Sequence, residues 1–313
     1  MIRLGLCCIF REEPIKFRRK TAKSLGGLPR TEQLAVLAGL CLDNARALGQ
    51  ALHYCREHGI GDFRINSQIL PLYTHPELGY RIEDLPGSAE IIAAFRSCGT
   101  FCRQHGLRTT LHPDQFILLS SPSEDVTRRS IAELDYQAEV AELVGADVIN
   151  IHGGGAYGDK RQALLRLSRR LEQLPDRVRE RLSLENDDKI YSPRDLLPLC
   201  RAEGLAFVYD VHHHRCLADG LQVAEATEKA LNTWNREPLF HLSSPRDGWE
   251  GKNPRFHHDF IDPADIPDPW LNLEQVVTVE VEAKAKELAL DRLRKDLADR
   301  VVLFPGCEPP TTS

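Results

Sequence analysis

Short apolar segments alternate with longer amphipathic segments along the whole chain. Runs of apolar residues predict strands at residues 2–9, 63–65, 108–111, 147–151, 182–184, 205–209, 239–240 and 276–281. Apolar residues at helical spacing predict helices at 31–58, 86–105, 123–144, 160–174, 192–203, 222–234 and 283–299. Because the strands are apolar without strict alternation, we expect them to be buried on both faces, as in a parallel sheet.

Eight predicted strands, seven of them followed by a predicted helix, in a chain of 313 residues predict a single (β/α)₈ TIM barrel of the α/β class. No glycine- or serine-rich linker divides the chain, so we expect a barrel domain at residues 1–303 and a short C-terminal tail at 304–313. An open doubly wound sheet is the alternative, and it normally carries a glycine-rich phosphate turn after its first strand. Here the first strand runs into Cys7-Cys8-Ile9-Phe10, which disfavours that alternative.

Composition narrows the class of protein and its expected location. A hydrophobic content of 42% excludes a disordered chain. Nine cysteines without framework spacing favour a reducing compartment. The N-terminal apolar run is too short for a signal peptide, and no stretch approaches the roughly 18 apolar residues of a membrane span. We therefore expect no membrane association and a cytoplasmic, nucleoid-associated protein, or a nuclear one in a eukaryote. The net charge of -6 excludes a domain-wide basic surface but not a local basic groove.

Six consecutive predicted strands end in a histidine, aspartate or glutamate. These residues are His112, His152, Glu185, Asp210, His241 and Glu282. The carboxyl ends of barrel strands form the active-site face, so the six side chains are expected to meet there. Several carboxylates packed together would destabilise the fold unless cations lay between them. Imidazole nitrogens and carboxylate oxygens are ligands of Zn²⁺ and Mn²⁺, so the sequence predicts a metal centre at the barrel mouth.

Further candidates surround these strand ends. His75 follows the second strand, the run 212–214 is three histidines, and His257 and His258 precede the last strand. Glu280 lies on the same side of its strand as Glu282, and we expect Glu282 to ligate and Glu280 to support it. The glycines at 153–155 are compatible with a close approach of phosphate to the backbone or with a flexible loop.

The ligands from the last four strands, Glu185, Asp210, His241 and Glu282, occur in two groups of barrel enzymes. One group is the single-metal sugar isomerases and epimerases, and the other is the multi-metal endonucleases of DNA repair. Extra ligands favour the second group, because His112 and His152 would complete a second site with Glu185 as a bridge, and His213 and His258 would begin a third. Two or three ions suit phosphodiester hydrolysis. A sugar isomerase remains the alternative, and a non-catalytic binding module fits least because it would not need the ligand ring.

Several segments in chain order resemble the UV damage endonuclease (UvdE/UvsE) family. They are Met1-Ile2-Arg3-Leu4-Gly5, Phe63-Arg64-Ile65, Thr74-His75-Pro76, His112-Pro113-Asp114-Gln115, residues 129–134, residues 152–160, residues 184–189 and Val281-Glu282-Ala283-Lys284. The resemblance implies a TIM barrel, a cluster of two to three divalent ions with Mn²⁺ preferred and Zn²⁺ an alternative, and damaged double-stranded DNA as the partner. It implies incision by metal-activated water on the 5′ side of a UV photoproduct, with other lesions and abasic sites as further candidates. Nothing in the sequence indicates an obligate protein partner.

The resemblance also implies roles for individual residues. It implies metal ligands at His75, His112, His152, Glu185, Asp210, His213, His241, His258 and Glu282, with Glu185, His241 and Glu282 as the catalytic residues. Gln115 and Phe116 match a Gln-Tyr pair that wedges into the duplex while the damaged bases flip out. Lys160 is a candidate phosphate contact, and a solvated loop lysine is the alternative.

The chain departs from the family pattern at four places. Leu6 stands where the family has a lesion-holding tyrosine, and Phe116 replaces the wedge tyrosine. Leu239 stands where the family has a lysine that bridges metals when carboxylated, which puts the third ion in doubt because leucine cannot ligate. The stretch 7–27 is also unlike the family, and its basic side chains predict a basic loop.

Overall fold

The computed structural model describes residues 1–114, 116–298 and 303, so the predicted tail at 304–313 lies outside the described residues. Eight parallel strands close into a barrel in chain order, and β1 pairs with both β2 and β8. The strands are β1 (Ile2–Cys7), β2 (Asp62–Ile65), β3 (Arg108–Leu111), β4 (Val148–His152), β5 (Leu182–Glu185), β6 (Ala206–Asp210), β7 (Leu239–Leu242) and β8 (Val277–Val281). The predicted TIM barrel is confirmed.

Helices connect successive strands over the outside of the barrel. Within the described residues they are α1 (Ala22–Leu25), α2 (Arg30–Glu57), α3 (Ser88–His105), α4 (Glu124–Val144), α5 (Lys160–Leu171), α6 (Asp176–Arg179), α7 (Pro193–Glu203), α8 (Val211–Cys216), α9 (Val223–Leu231), α10 (Asp268–Leu271) and α11 (Glu287–Leu297). Short 3₁₀ turns lie at Ile82–Asp84 and Pro263–Asp265. None of these helices is long and apolar enough to cross a bilayer.

Local capping signals explain where several helices begin. The side chain of Ser123 accepts a hydrogen bond from the Val126 N–H at the start of α4, and Asp159 does the same at the start of α5. Ser192 and Asp195 form a capping box at the start of α7. The sequence predicted these starts to within a residue, because a cap satisfies backbone groups of its own first turn.

Four strands end later than predicted at the barrel mouth, β4, β5 and β6 by one residue and β7 by two. His152 pairs with Glu185 in the ladder between β4 and β5, and Asp210 pairs with His241 between β6 and β7. The sequence prediction ended each strand before its first polar mouth residue. In the structure the backbone hydrogen bonds between strands continue through that residue, because its polar side chain has partners at the barrel mouth. The short helix α8 directly after Asp210 was not predicted, and the Asp210 carboxylate caps it by accepting from the His213 N–H.

Candidate metal centre at the barrel mouth

The ends of six strands bring histidines and carboxylates together at one face of the barrel. Three groups of three residues share members, and within each group the ligand atoms lie within 4.8 Å of one another. The groups are His112–His152–Glu185, His112–His241–Glu282 and Glu185–Asp210–His213. All six residues chosen from the strand ends belong to these groups, which we call the metal cluster. His213, from the first turn of α8, completes it.

Glu185 lies at the centre of the metal cluster. Its Oε2 atom is 2.9 Å from His112 Nε2, and its Oε1 atom is 3.1 Å from His241 Nδ1 and 3.3 Å from His213 Nδ1. The Asn150 side-chain N–H donates to Glu185 Oε2 at 2.5 Å. Glu185 belongs to two of the three groups, so its carboxylate could contribute a ligand atom to either of two candidate metal sites.

An arginine that is only 11% exposed lies on the other side of the cluster. Arg64 Nη1 lies 2.6 Å from Glu282 Oε1 and 3.1 Å from Glu280 Oε2. Glu280 also lies 3.0 Å from His241 Nε2 and accepts a hydrogen bond from the Thr110 hydroxyl. Glu280 therefore holds the His241 ring so that Nδ1 faces Glu185, which is the supporting role expected from its position in the strand.

The donor set fits divalent cations. Glu185 Oε1 and Asp210 Oδ2 are buried side-chain oxygens that accept no hydrogen bond among the described residues, although imidazole nitrogens of His213 and His241 lie 3.1–3.4 Å away. A buried carboxylate oxygen that accepts no hydrogen bond is costly, and a cation held by both groups would remove that cost. The mixture of imidazoles and carboxylates is the chemistry that Mn²⁺ and Zn²⁺ accept.

The histidines and carboxylates of the metal cluster shift one another's pKa values. Burial by itself would raise the pKa of Glu185, but the imidazoles of His241 and His152 outweigh it and hold that pKa well below its ordinary value. Burial raises the pKa of Asp210, and the nearby Glu185 adds to the rise. Burial would lower the pKa of His213, but Asp210 and Glu185 raise it to about 10. Burial would also lower the pKa of His241, but Glu185, Glu280 and Glu282 raise it well above its ordinary value.

Metal binding by this cluster is expected to strengthen as the pH rises. His213, with a pKa raised to about 10, carries a proton at neutral pH and must release it to bind a metal. Each proton released makes the affinity rise about tenfold per pH unit below that pKa. Titration with Mn²⁺ at pH 6, 7 and 8 measures the slope, and His213→Asn is expected to lower it by one proton. An affinity that is constant over this range would contradict the prediction.

The structure places His257, and not His258, toward the cluster. His257 Nδ1 lies 3.7 Å from Glu282 Oε2, and its ring centroid is 6.2 Å from that of His213. His258 Nδ1 instead accepts a hydrogen bond from the Phe260 N–H at 2.9 Å. The two neighbours diverge because this segment is extended, with a bridge between Pro245 and His257, and successive side chains then point to opposite faces.

The other predicted residues lie outside the three groups. His75 Nδ1 accepts hydrogen bonds from the N–H groups of Glu77 and Leu78, at 3.2 Å each. Lys160 Nζ pairs with Asp195 at 2.9 Å. Gln115 lies outside the described residues.

Two of the departures from the family pattern concern buried leucines. Leu6 is fully buried, and Leu239 packs against Val148 and Val208 inside the barrel. Neither side chain offers a ligand atom to the centre.

An open cavity of about 530 Å³ adjoins the metal cluster. Phe116 lines it and is 75% exposed, so its ring is available to stack on a ligand. Other lining side chains are Arg19, Arg64, His112, Glu282 and Lys286. The cavity therefore combines metal-ligating groups, cations and an exposed aromatic ring.

Arg64 and Asn150 contact the metal cluster, and the sequence reasoning did not select them. Asn150 lies two residues before His152, so strand alternation places both side chains on the same face, and that spacing is a usable signal. Arg64 has no comparable signal, because its partners Glu280 and Glu282 come from the far end of the chain.

Comparison with known proteins adds independent findings. The family model described as UV-endonuclease UvdE matches residues 2–306. A UV DNA damage endonuclease of Bacillus velezensis is 33% identical over 285 residues, covering 87% of this chain and 85% of the relative. The crystal structure of SacUVDE superposes with a TM-score of 0.81 at 27% identity and covers 96% of this chain and 99% of that one. D-psicose 3-epimerase from Clostridium cellulolyticum H10 gives a TM-score of 0.54 at 12% identity, covering 82% and 93%, which is a likeness of fold alone.

Proposed function

The chain belongs to the UV-endonuclease UvdE family, whose members are DNA repair endonucleases, and we propose that it is a metal-dependent one that incises the phosphodiester 5′ to UV photoproducts. The observation that carries this proposal is the metal cluster, with its three overlapping groups of histidines and carboxylates. A cluster able to hold more than one ion beside an open cavity suits hydrolysis of a bulky phosphodiester.

We assign the ions to this chain's own residues. The proposed ligands are His112, His152, Glu185, Asp210, His213, His241 and Glu282, with two to three divalent ions, Mn²⁺ preferred and Zn²⁺ the alternative. A bound divalent ion supplies a Lewis acid that polarises the phosphoryl group and makes water a stronger nucleophile. Leu239 cannot ligate, so a third ion would depend on histidines. We propose His213 and His257 for it, because His257 lies toward the cluster and His258 does not. A role for His75 in metal binding stays a prediction.

The remaining proposed roles follow from position and chemistry. Glu185, His241 and Glu282 are the proposed catalytic residues, and Arg64 and Glu280 position them. The exposed ring of Phe116 is proposed to stack in the duplex where the damaged bases leave it. Gln115 and Lys160 stay predictions, the first as the partner of Phe116 and the second as a phosphate contact.

The sugar isomerase alternative rests on a likeness of fold alone. A sugar-sized substrate requires a largely enclosed polar pocket. The cavity here is open and has the cations Arg19 and Lys286 and the exposed Phe116 in its lining. These features favour an extended anionic polymer over a small neutral sugar.

Incision of a defined damaged duplex tests the proposal. With Mn²⁺, the purified protein is expected to nick an end-labelled duplex that carries one cyclobutane pyrimidine dimer, immediately 5′ to the dimer, and to leave a 3′-hydroxyl that a polymerase extends. The same duplex without the dimer is expected to stay intact, and EDTA is expected to stop the reaction. Phe116→Ala is expected to reduce the preference for the damaged duplex. The absence of a nick with both Mn²⁺ and Zn²⁺ would overturn the proposal.

A further inference from the structure

The long connection between β1 and α1 concentrates positive charge in an acidic protein. Residues 8–21 contain no helix or strand and carry five basic and two acidic side chains, whereas the whole chain has a net charge of -6. The apolar side chains Phe10, Ile15 and Phe17 pack on the hydrophobic core. The basic side chains of this loop are exposed, so the loop presents its charge outward.

Two buried polar side chains fix the backbone of this loop. The Glu287 carboxylate, 1% exposed, accepts hydrogen bonds from the N–H groups of Arg11 and Glu12 at 2.7 Å each and of Glu13 at 3.3 Å. The buried side chain of Asn44 accepts from the Arg18 N–H at 2.7 Å and donates to the Arg18 carbonyl at 3.0 Å. Burying a carboxylate is costly unless several donors satisfy it, so these bonds commit Glu287 to holding the loop.

The residue before Glu287 has a strained backbone. Lys286 has φ 54° and ψ -120°, in a region that residues other than glycine rarely adopt. Such a conformation is strained, and strained residues cluster at active sites and ligand clamps. Lys286 lines the cavity beside the metal cluster, and so do Arg19 from the loop and Cys8, which also has a positive φ of 65°. Two adjacent residues therefore have separate tasks: Lys286 supplies a cation to the cavity, and the Glu287 carboxylate anchors the loop.

We propose that residues 8–21 and Lys286, together called the basic wall, bind backbone phosphates of the DNA strand that enters the metal centre. Arg19 and Lys286 make the contacts, and Glu287 is a positioning residue that acts through the loop. This inference rests on the proposed function. Basic side chains bind DNA phosphates whatever the base sequence is. Cations held in fixed positions beside the cluster would therefore set the register of the DNA strand in the metal centre.

The salt dependence of binding to undamaged duplex tests the basic wall. Removing one cation from a backbone phosphate is expected to lower the slope of log affinity against log salt by about 0.9, so Arg19→Ala/Lys286→Ala is expected to lower it by about two. Fluorescence anisotropy with the Mn²⁺-supplied protein measures the slope. Arg103→Ala/Arg201→Ala is the control, because it also removes two cations, at exposed positions in the last turns of α3 and α7 that do not line the cavity. A slope that the Arg19→Ala/Lys286→Ala variant leaves unchanged, or that the control lowers as much, overturns the proposal.

A double-mutant cycle tests the role of Glu287. In a Glu287→Gln background, Arg19→Ala is expected to cost much less affinity than in the wild-type protein, because the loop no longer holds Arg19 at the cavity. Equal costs in both backgrounds overturn the positioning role, and thermal unfolding shows whether the Glu287 variant is folded. Incision is scored separately. If Arg19→Ala/Lys286→Ala nicks the dimer duplex and binds undamaged duplex with the wild-type salt slope, the basic wall is overturned and the proposed function is not. If the wild-type protein binds duplex but never nicks it, the proposed function is overturned and the basic wall is not.

Discussion

Glu185→Gln is expected to lower the rate of incision by about a thousandfold or more, equivalent to about 4 kcal/mol of transition-state stabilisation. Glu185 belongs to two of the three ligand groups, and its oxygens lie within 3.3 Å of His112, His213 and His241. A neutral amide keeps the size of the side chain but removes the charge that a bridging ligand needs. Single-turnover kinetics on the dimer duplex measures the fall in rate.

Metal content is expected to fall together with activity in this variant. Elemental analysis of the wild-type protein is expected to give two ions per chain if Leu239 costs the third site, and three if His213 and His257 suffice. Glu185→Gln is expected to retain fewer. Asp147→Asn is the matched control, because Asp147 pairs with Arg108 at the opposite end of the barrel. Wild-type metal content and rate in Glu185→Gln would remove Glu185 from the centre.

Arg64→Met is expected to destabilise the metal-free protein by about 3–5 kcal/mol at neutral pH, because it removes the permanent cation from the fully buried Glu280 and from Glu282, which is 15% exposed. Arg64 is 11% exposed and lies within 3.1 Å of both Glu280 and Glu282. Burial would raise the pKa of each carboxyl, but Arg64 and His241 hold both pKa values below the ordinary value. Urea unfolding of the wild-type protein and the variant measures the difference in free energy.

The effect of Arg64→Met on stability depends on pH in a direction that follows from these pKa values. A carboxyl whose pKa is lower in the folded state stabilises the protein above its unfolded pKa, and this contribution is lost as the pH falls through the folded pKa. The difference between wild type and variant is therefore expected to be largest at neutral pH and to shrink in acid. Arg103→Met, which alters an exposed arginine on α3, is expected to change stability little. A variant as stable as the wild type at pH 7 would contradict the role given to Arg64.

Much of the fold and of the centre could be predicted because the signals are local. The apolar runs identified the barrel strands, and Ser123 and Ser192 marked helix starts through bonds within one turn. Closure of the barrel then brings the residues after successive strands to one face, and this geometry alone selected His112, His152 and the other strand-end ligands.

Other contacts could not be predicted, because they join residues that are far apart in the chain. Arg64 meets Glu280 across 216 positions, and Glu287 meets the Arg11 N–H across 276. Which of His257 and His258 faces the metal cluster depends on the bridge between His257 and Pro245, because this pairing sets the direction of each side chain.

The amino-acid sequence alone specifies the barrel, its order of strands and the chemistry at its mouth, because hydrophobic periodicity and strand ends are properties of neighbouring residues. The three-dimensional packing selects which groups support that chemistry: the arginine between two glutamates, the histidine turned toward the cluster and the carboxylate that fixes the basic wall. Those choices depend on the distances that barrel closure creates, since a buried charge is stable only where its partners arrive from elsewhere in the chain.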